Sequence, residues 1–248
     1  MKILLYYFLL TSFLISDDFL DNQLKYARVR TAKAQKDSIV KELFSKKNMK
    51  FPSDNIFIRV FKSEAILELW AKDHKSDKYV KINTYNICSL SGVLGPKKQR
   101  GDLQIPEGFY QISDFNPVSN FYLSLKINYP NNSDKILGYK PDLGGDIYIH
   151  GDCVTIGCIP LTNEFIKELY WIVAWAKSEG QKDIQIHIFP SKLKEIEFNR
   201  LKEVYKGKSE LIDFWRTLKT GFDYFEKHKK LPLIDILPSG KYIVKDKG

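Results

Sequence analysis

The sequence predicts an α+β fold: a mixed β-sheet core with flanking helices and a helical C-terminal extension. Three observations predict it. Between residues 54 and 150, short apolar runs alternate with the period of a strand. From 162 onward, apolar side chains recur mostly at the three- and four-residue spacing of helices. Between 91 and 108, Gly92, Gly95-Pro96, Gly101, Pro106 and Gly108 mark one long connection. At roughly 150 residues per domain, 248 residues make one large domain or one with an appendage. That length buries a core without help from disulfides.

Each element has its own signal. After Lys2, the run Ile3–Ile15 is apolar apart from Thr11 and Ser12, and Ser16 and Asp17-Asp18 follow it. The run is too short to span a bilayer and fits a secretory signal, so 1–16 is expected to be a signal peptide. The mature chain is then expected in the periplasm or cell envelope. The competing possibility is a buried first strand or helix. Residues 17–50 form a basic helical lead-in, with Leu20, Leu24 and Ala27, then Ile39, Val40 and Leu43, at helical spacing.

Residues 51–190 form the expected central domain. Ile56, Ile58 and Val60 alternate with Phe57, Arg59 and Phe61, and Ser63-Glu64 turns the chain into Ala65–Trp70 as a hairpin. Tyr79–Ile87, Phe121–Ile127 and Ile147–His150 are further strands. Thr162 or Asn163 caps a helix with the stripe Phe165, Leu169, Ile172, Val173 and Ala176, ended by Gly180. Trp171 and Trp175 on that helix read as core. Ile184, Ile186 and Ile188 give one more strand, which leaves His187 as a satisfied core histidine or a neighbour of the site. Residues 191–248 are a basic extension with two amphipathic helices, Ser191–Tyr205 and Ser209–Lys230.

Composition narrows the function. With 44% hydrophobic, 14% aromatic and 28% charged residues, the chain is neither disordered nor collagen-like. A net charge of +9 suggests an acidic partner, and an export signal argues against nucleic acid. Three cysteines are too few for a disulfide scaffold.

The chemistry concentrates in the segment His150-Gly151-Asp152-Cys153-Val154-Thr155-Ile156-Gly157-Cys158, after a strand and before a helix. A cysteine nucleophile needs a base and donors for the oxyanion. His150 supplies the base. Gly157 permits close approach of a substrate carbonyl, and N–H groups beside Cys158, near the helix start, form a candidate oxyanion hole. The bland alternative is a packed thiol beside a satisfied histidine. The rival is zinc, held by His150, Cys153 and Cys158 with Cys88 or His187, which would make a non-catalytic, zinc-stabilised binding module. Cys153 reads as packing or loop shape, a Cys153–Cys158 disulfide is disfavoured because it would silence the thiol, and Cys88 reads as a buried thiol.

At His150-Gly151 and Thr155-Ile156-Gly157-Cys158 the chain resembles the L,D-transpeptidase (YkuD-type) family of bacterial cell walls, and within it the YafK-like murein subgroup. Leu94-Gly95-Pro96-Lys97 with Gly101-Asp102, Pro106-Glu107-Gly108-Phe109-Tyr110, and Phe115-Asn116-Pro117 with Tyr129-Pro130-Asn131 are similar to that subgroup too. The resemblance covers roughly 55–190 and implies an L,D-transpeptidase-like catalytic core. It implies Cys158 as nucleophile, His150 as general base, Gly151 as the residue whose carbonyl orients the imidazole, and Gly157 with Thr155 in the substrate and oxyanion region. Where many members carry Arg two residues after the nucleophile, this chain has Pro160. The implied reaction is acyl transfer at the diaminopimelate (Dap) carbonyl of peptidoglycan stem peptides, through a thioester and without metal or other cofactor. An amine acceptor gives a cross-link. Water gives hydrolysis, including release of a D-amino acid or of an envelope lipoprotein tethered to Dap. Lys97 and Arg100 serve either stem-peptide carboxylates or only solvent.

Overall fold

A computed structural model describes residues 19–53, 55–139 and 141–246. The expected signal peptide, 1–16, lies outside the described residues. Two helices open the chain, α1 (Phe19–Leu24) and α2 (Ala27–Ser45). The buried stripe of α2 is Val29, Ala32, Lys36, Val40 and Phe44, while Ile39 stays exposed. The stripe thus follows residues in phase with Val29, and Ile39 falls outside that phase.

The β-branched run at 56 becomes β1 (Ile56–Phe61), which pairs antiparallel through a hairpin with β2 (Ile66–Ala71). β3 (Val80–Asn86), β4 (Gly108–Asn116), β5 (Ser124–Ile127), β6 (Tyr148–His150), β7 (Ile159–Pro160) and β8 (Gln185–Phe189) complete one sheet in the order β3-β2-β1-β8-β4-β5-β6-β7. It is mixed: β1 with β8 and β6 with β7 run parallel, and the other neighbours antiparallel. The short helix α3 (Asn132–Leu137) is held by a capping box between Asn131 and Asp134. α4 (Asn163–Ser178) is capped by the Thr162 hydroxyl, which accepts from Phe165 N. α5 (Glu195–Val204), α6 (Ser209–His228) and a small hairpin, β9 (Leu233–Ile236) with β10 (Tyr242–Lys245), follow.

Both faces of the central strands are covered. Ile56, Ile58, Val60, Ile186 and Ile188 pack with α2 and α4 in an aliphatic core. Phe61, Phe109 and Phe189 pack with Phe198 of α5, and with Trp215, Leu218 and Phe222 of α6. Residues after 190 therefore form a second layer on the sheet.

Two expectations change. β4 carries no alternation signal, because Phe109, Tyr110 and Ile112 are all buried in a strand covered on both sides. Cys158 does not open α4: β7, Leu161 and Thr162 stand between them. The N-terminus of α4 is therefore not beside the thiol. Among the described residues no helix is long and apolar enough to cross a membrane.

Candidate active site

The parallel pair β6–β7 brings the two ends of the motif together, with Ile149 opposite Ile159 and His150 opposite Pro160. Cys158 lies immediately before β7, against the backbone that enters β6. Its Sγ is 3.6 Å from Asp146 O and is approached by the Tyr148 N–H. His150 ends the same strand, two residues beyond Tyr148.

The histidine is held on three sides. Its Nδ1 hydrogen-bonds Gly151 O, which can only accept, so Nδ1 carries the proton and Nε2 is the basic nitrogen. Phe121 lies against the ring at 4.7 Å between centroids. His150 O accepts from Leu161 N at 2.8 Å.

Gly151 is required by space. A Cβ there would stand 2.3 Å from Asn163 Oδ1 and 2.9 Å from Phe121 O. Asn163, on the first turn of α4, binds Asp152 in return: its Oδ1 accepts from Asp152 N and its Nδ2 donates to Asp152 Oδ1. Gly157 is required by conformation and space together, with φ +134° and a would-be Cβ 3.0 Å from Gln104 O.

Thr155 and Gly157 engage each other. The Thr155 hydroxyl accepts from Gly157 N at 3.1 Å and donates to Cys158 O at 2.8 Å. The Gly157 N–H is therefore committed to shaping the turn into Cys158.

The other cysteines depart from expectation. Cys88 and Cys153 form a disulfide, with Cα atoms 5.4 Å apart, and Cys158 is a free thiol. Cys88 is thus not a buried thiol, and Cys153 does more than pack. A zinc set of His150, Cys153, Cys158 and Cys88 loses two sulfurs to that bond. Neither does His187 complete it. It lies on β8, with β4 and β5 between it and β6, packed among Phe57, Phe109 and Phe189. Its Nδ1 is buried without a partner, so it is a core histidine that is only half satisfied.

The long connection forms the rim of the site. Lys97 is buried, not solvated: its Nζ donates to Asp102 Oδ1 and Gln99 O. Asp102 also accepts from the N–H groups of Lys98, Gln99 and Gln104. Burial would raise that carboxyl, but Lys97 and the three N–H groups hold it below the usual range. Arg100 is exposed and paired with Asp142.

Behind the rim, Lys62 Nζ donates to the carbonyls of Val93, Gly95 and Ile105 and to Glu107 Oε1 at 2.9–3.1 Å. Glu107 in turn accepts from Gly95 N and from Trp215 Nε1 of α6. The loop edge is thus fixed from the far layer.

Burial sets the electrostatics. Desolvation pushes His150 below its ordinary value, against the Gly151 carbonyl and Asp152, which raise it. Desolvation pushes the Cys158 thiol up, opposed by the Tyr148 N–H and by Lys97. At neutral pH the resting groups are a neutral imidazole and a neutral thiol.

A free cysteine and a neutral imidazole at the ends of a parallel strand pair, joined by a glycine-dependent loop, fit the motif's family, and comparison decides it. The sequence pattern described as YkuD, L,D-transpeptidase catalytic domain, matches residues 55–186. This chain belongs to the L,D-transpeptidase family. The Escherichia coli K12 protein named "Putative L,D-transpeptidase YafK" is 38% identical over 191 residues, 76% of this chain and 73% of that one. Among solved structures, the helical cell shape determining protein Pgp2 of Campylobacter jejuni matches at 19% identity and TM-score 0.44, over 74% of this chain and 73% of that one. Bd1075 of Bdellovibrio bacteriovorus matches at 21% identity and TM-score 0.41, over 73% and 76%. The family acts on peptidoglycan stem peptides, and this L,D-transpeptidase-type chain is accordingly an enzyme of peptidoglycan chemistry.

Several residues reach the motif only through the fold: Gln104 carries no sequence signal, Phe121 and Tyr148 read only as strand residues, Asp102 only as part of a resembling motif, and Cys88 only as a buried thiol or zinc candidate. Asn163 was visible as a helix-cap candidate, but Thr162 takes the cap and Asn163 serves the loop.

Proposed function

We propose that this protein performs cysteine-dependent acyl transfer at the Dap carbonyl of peptidoglycan stem peptides. Cys158 is the nucleophile, and His150 Nε2 takes its proton as the thiolate attacks. The tetrahedral intermediate expels the amine, which receives that proton from His150, and leaves a thioester on Cys158. An acceptor amine then gives a cross-link, or water gives hydrolysis, which on a lipoprotein-bearing stem releases the lipoprotein. Gly151 orients the imidazole through its carbonyl, Thr155 and Gly157 shape the turn, and the Cys158 N–H is the oxyanion donor. The work is done in the periplasm or cell envelope, to which residues 1–16 direct the chain.

The observation that supports this best is the His150 Nδ1–Gly151 O hydrogen bond, on a strand register that sets Cys158 against the start of β6. It leaves one nitrogen free to move a proton, and the free thiol among the described residues, Cys158, precedes the strand paired with that of His150.

The test is incubation of purified protein with Dap-containing muropeptides, with products read by mass. Cys158→Ala is expected to lose turnover and the thioester adduct while keeping its fold, and His150→Ala to fall to a similar level. Because His150 is held low, the acid limb of the rate is expected below the usual histidine range, near 6.5, since the protonated ring cannot accept the thiol proton. Full turnover in Cys158→Ala refutes the mechanism.

A further inference from the structure

We infer that the Cys88–Cys153 disulfide is a positioning device for Cys158: it closes the outer edge of the sheet over β7, so the enzyme turns over only with this bond formed. The role given to Cys158 rests on the function proposed above.

β7 has two residues and is the last strand of the sheet. On its inner side it pairs with β6. On its outer side stands the chain leaving β3, the strand at the opposite edge. Cys88 N donates to Pro160 O at 3.1 Å. One residue earlier, Ile87 N donates to Ala65 O at 2.8 Å, fixing that exit to the first hairpin. The sheet therefore curls until its two edges meet at Cys88 and Pro160.

The disulfide then ties the same Cys88 to Cys153, in the loop between His150 and Cys158. Local contacts hold the two ends of that loop. Asn163 holds Asp152, and Thr155 with Gly157 holds the turn into Cys158. Its middle is Cys153 and Val154, both exposed. The one contact that the structure gives Val154 N is local, to Asp152 O. The covalent tie to the opposite edge is what connects this middle to the rest of the fold. β7 has two residues and one paired strand, so the position of Cys158 just before it rests on that short pairing and on the Thr155–Gly157 turn, which follows directly on the tethered Cys153 and Val154.

The chain has three cysteines, so Cys88→Ala/Cys153→Ala leaves Cys158 alone and makes its chemistry readable. Three proteins are compared: wild type, wild type reduced with a phosphine, and the double variant. Each is checked for its fold by circular dichroism. Muropeptide turnover gives kcat and KM, and iodoacetamide gives the rate of Cys158 alkylation against pH, with labelling sites in reduced wild type assigned by peptide mass.

The expected result is a fall in kcat of about 10²-fold with KM little changed, as a misplaced reacting group produces. Reduced wild type and the double variant should fall alike, because the two cysteines act as one unit. The Cys158 alkylation profile should move toward that of an unconstrained thiol, near about 8.5. Reoxidation of reduced wild type should restore turnover.

Folded double variant and folded, reduced wild type with unchanged kcat and an unchanged alkylation profile would overturn the inference. If the double variant does not fold, reduced wild type at a temperature where it remains folded decides the matter. If oxidised wild type itself shows no turnover on muropeptides, the proposed function fails, while the alkylation comparison still decides whether the disulfide positions Cys158.

Discussion

Along β1, Ile56, Ile58 and Val60 face α2 and α4, while Phe57, Arg59 and Phe61 face the C-terminal helices. Along β1 the first side is aliphatic, and the polar ties of that layer, Trp171 Nε1 to Asp37 and Lys36 to Glu164, join α2 to α4 rather than to the strand. The second is aromatic and carries charge. Arg59 donates to Glu68 on β2 and to Glu226 on α6, and its guanidinium lies 4.7–4.8 Å from the ring centres of Phe225 and Trp70. Lys62 and Glu107 form a second buried pair on the same layer. The two layers differ in what they specify. Aliphatic contact scales with area and tolerates small shifts, whereas a guanidinium or ammonium with several fixed acceptors admits one arrangement of the helix bearing them. α6 is seated by direction as well as by burial.

The sharpest way to break this contrast is Lys62→Met. It leaves Glu107 as a buried charge without its cation and three loop carbonyls without their donor, and is expected to cost about 3–5 kcal/mol. Urea unfolding checks it, and muropeptide turnover should fall as well, because the rim loses its anchor. A loss below 1 kcal/mol would mean that the pair contributes little to this layer.

On the other face, Ile58→Ala deletes buried methyl and methylene groups and is expected to cost about 2–4 kcal/mol through transfer and cavity formation. Its cost should be the same at pH 5 and pH 8, since no titratable group touches that argument. A cost that changed strongly with pH would erase the distinction between the layers.

The smallest effect near neutrality is His187→Phe, yet it separates the faces by pH. Burial, and then the neighbouring Arg59, push His187 down to about 3. The unfolded chain takes a proton near about 6.5 that the folded chain refuses, so wild type loses stability as pH falls from that value toward 3. Glu68 and Glu226 face Arg59 rather than the ring, and both remain ionised in the upper part of that window. The variant keeps the aromatic contacts and lacks the titration. Relative to it, wild type is expected to lose about 2–3 kcal/mol between pH 7 and pH 4. Parallel stability–pH curves for the two proteins would show that His187 titrates normally.

How much of this was legible depended on sequence distance. His150, Gly151, Thr155, Gly157 and Cys158 lie within nine consecutive residues, so one motif exposes them, together with the family they resemble. β1, β2, β3 and β8 were readable because their β-branched runs are bounded by turns. β4 was not, because a strand buried on both faces has no polar side to alternate with, and Gln111, Ser113 and Asp114 dilute what remains. β7 is too short to carry a pattern. The disulfide partners stand 65 residues apart, and three cysteines allow three pairings, which only the curl of the sheet decides. The grip of Lys62 on the rim was invisible for the same reason: each of its acceptors lies more than thirty residues away.

The region matched by the family pattern ends at residue 186, yet Glu107 on the rim is bound by Trp215, and Phe61, Phe109 and Phe189 are roofed by side chains beyond 197. A protein trimmed to the family's own limits would lose Phe189, present the rings of Phe61 and Phe109 to water and leave a buried carboxylate short of a donor. The border of the family pattern and the border of the packed core differ, and the core runs on to Tyr242, whose ring closes the same cluster.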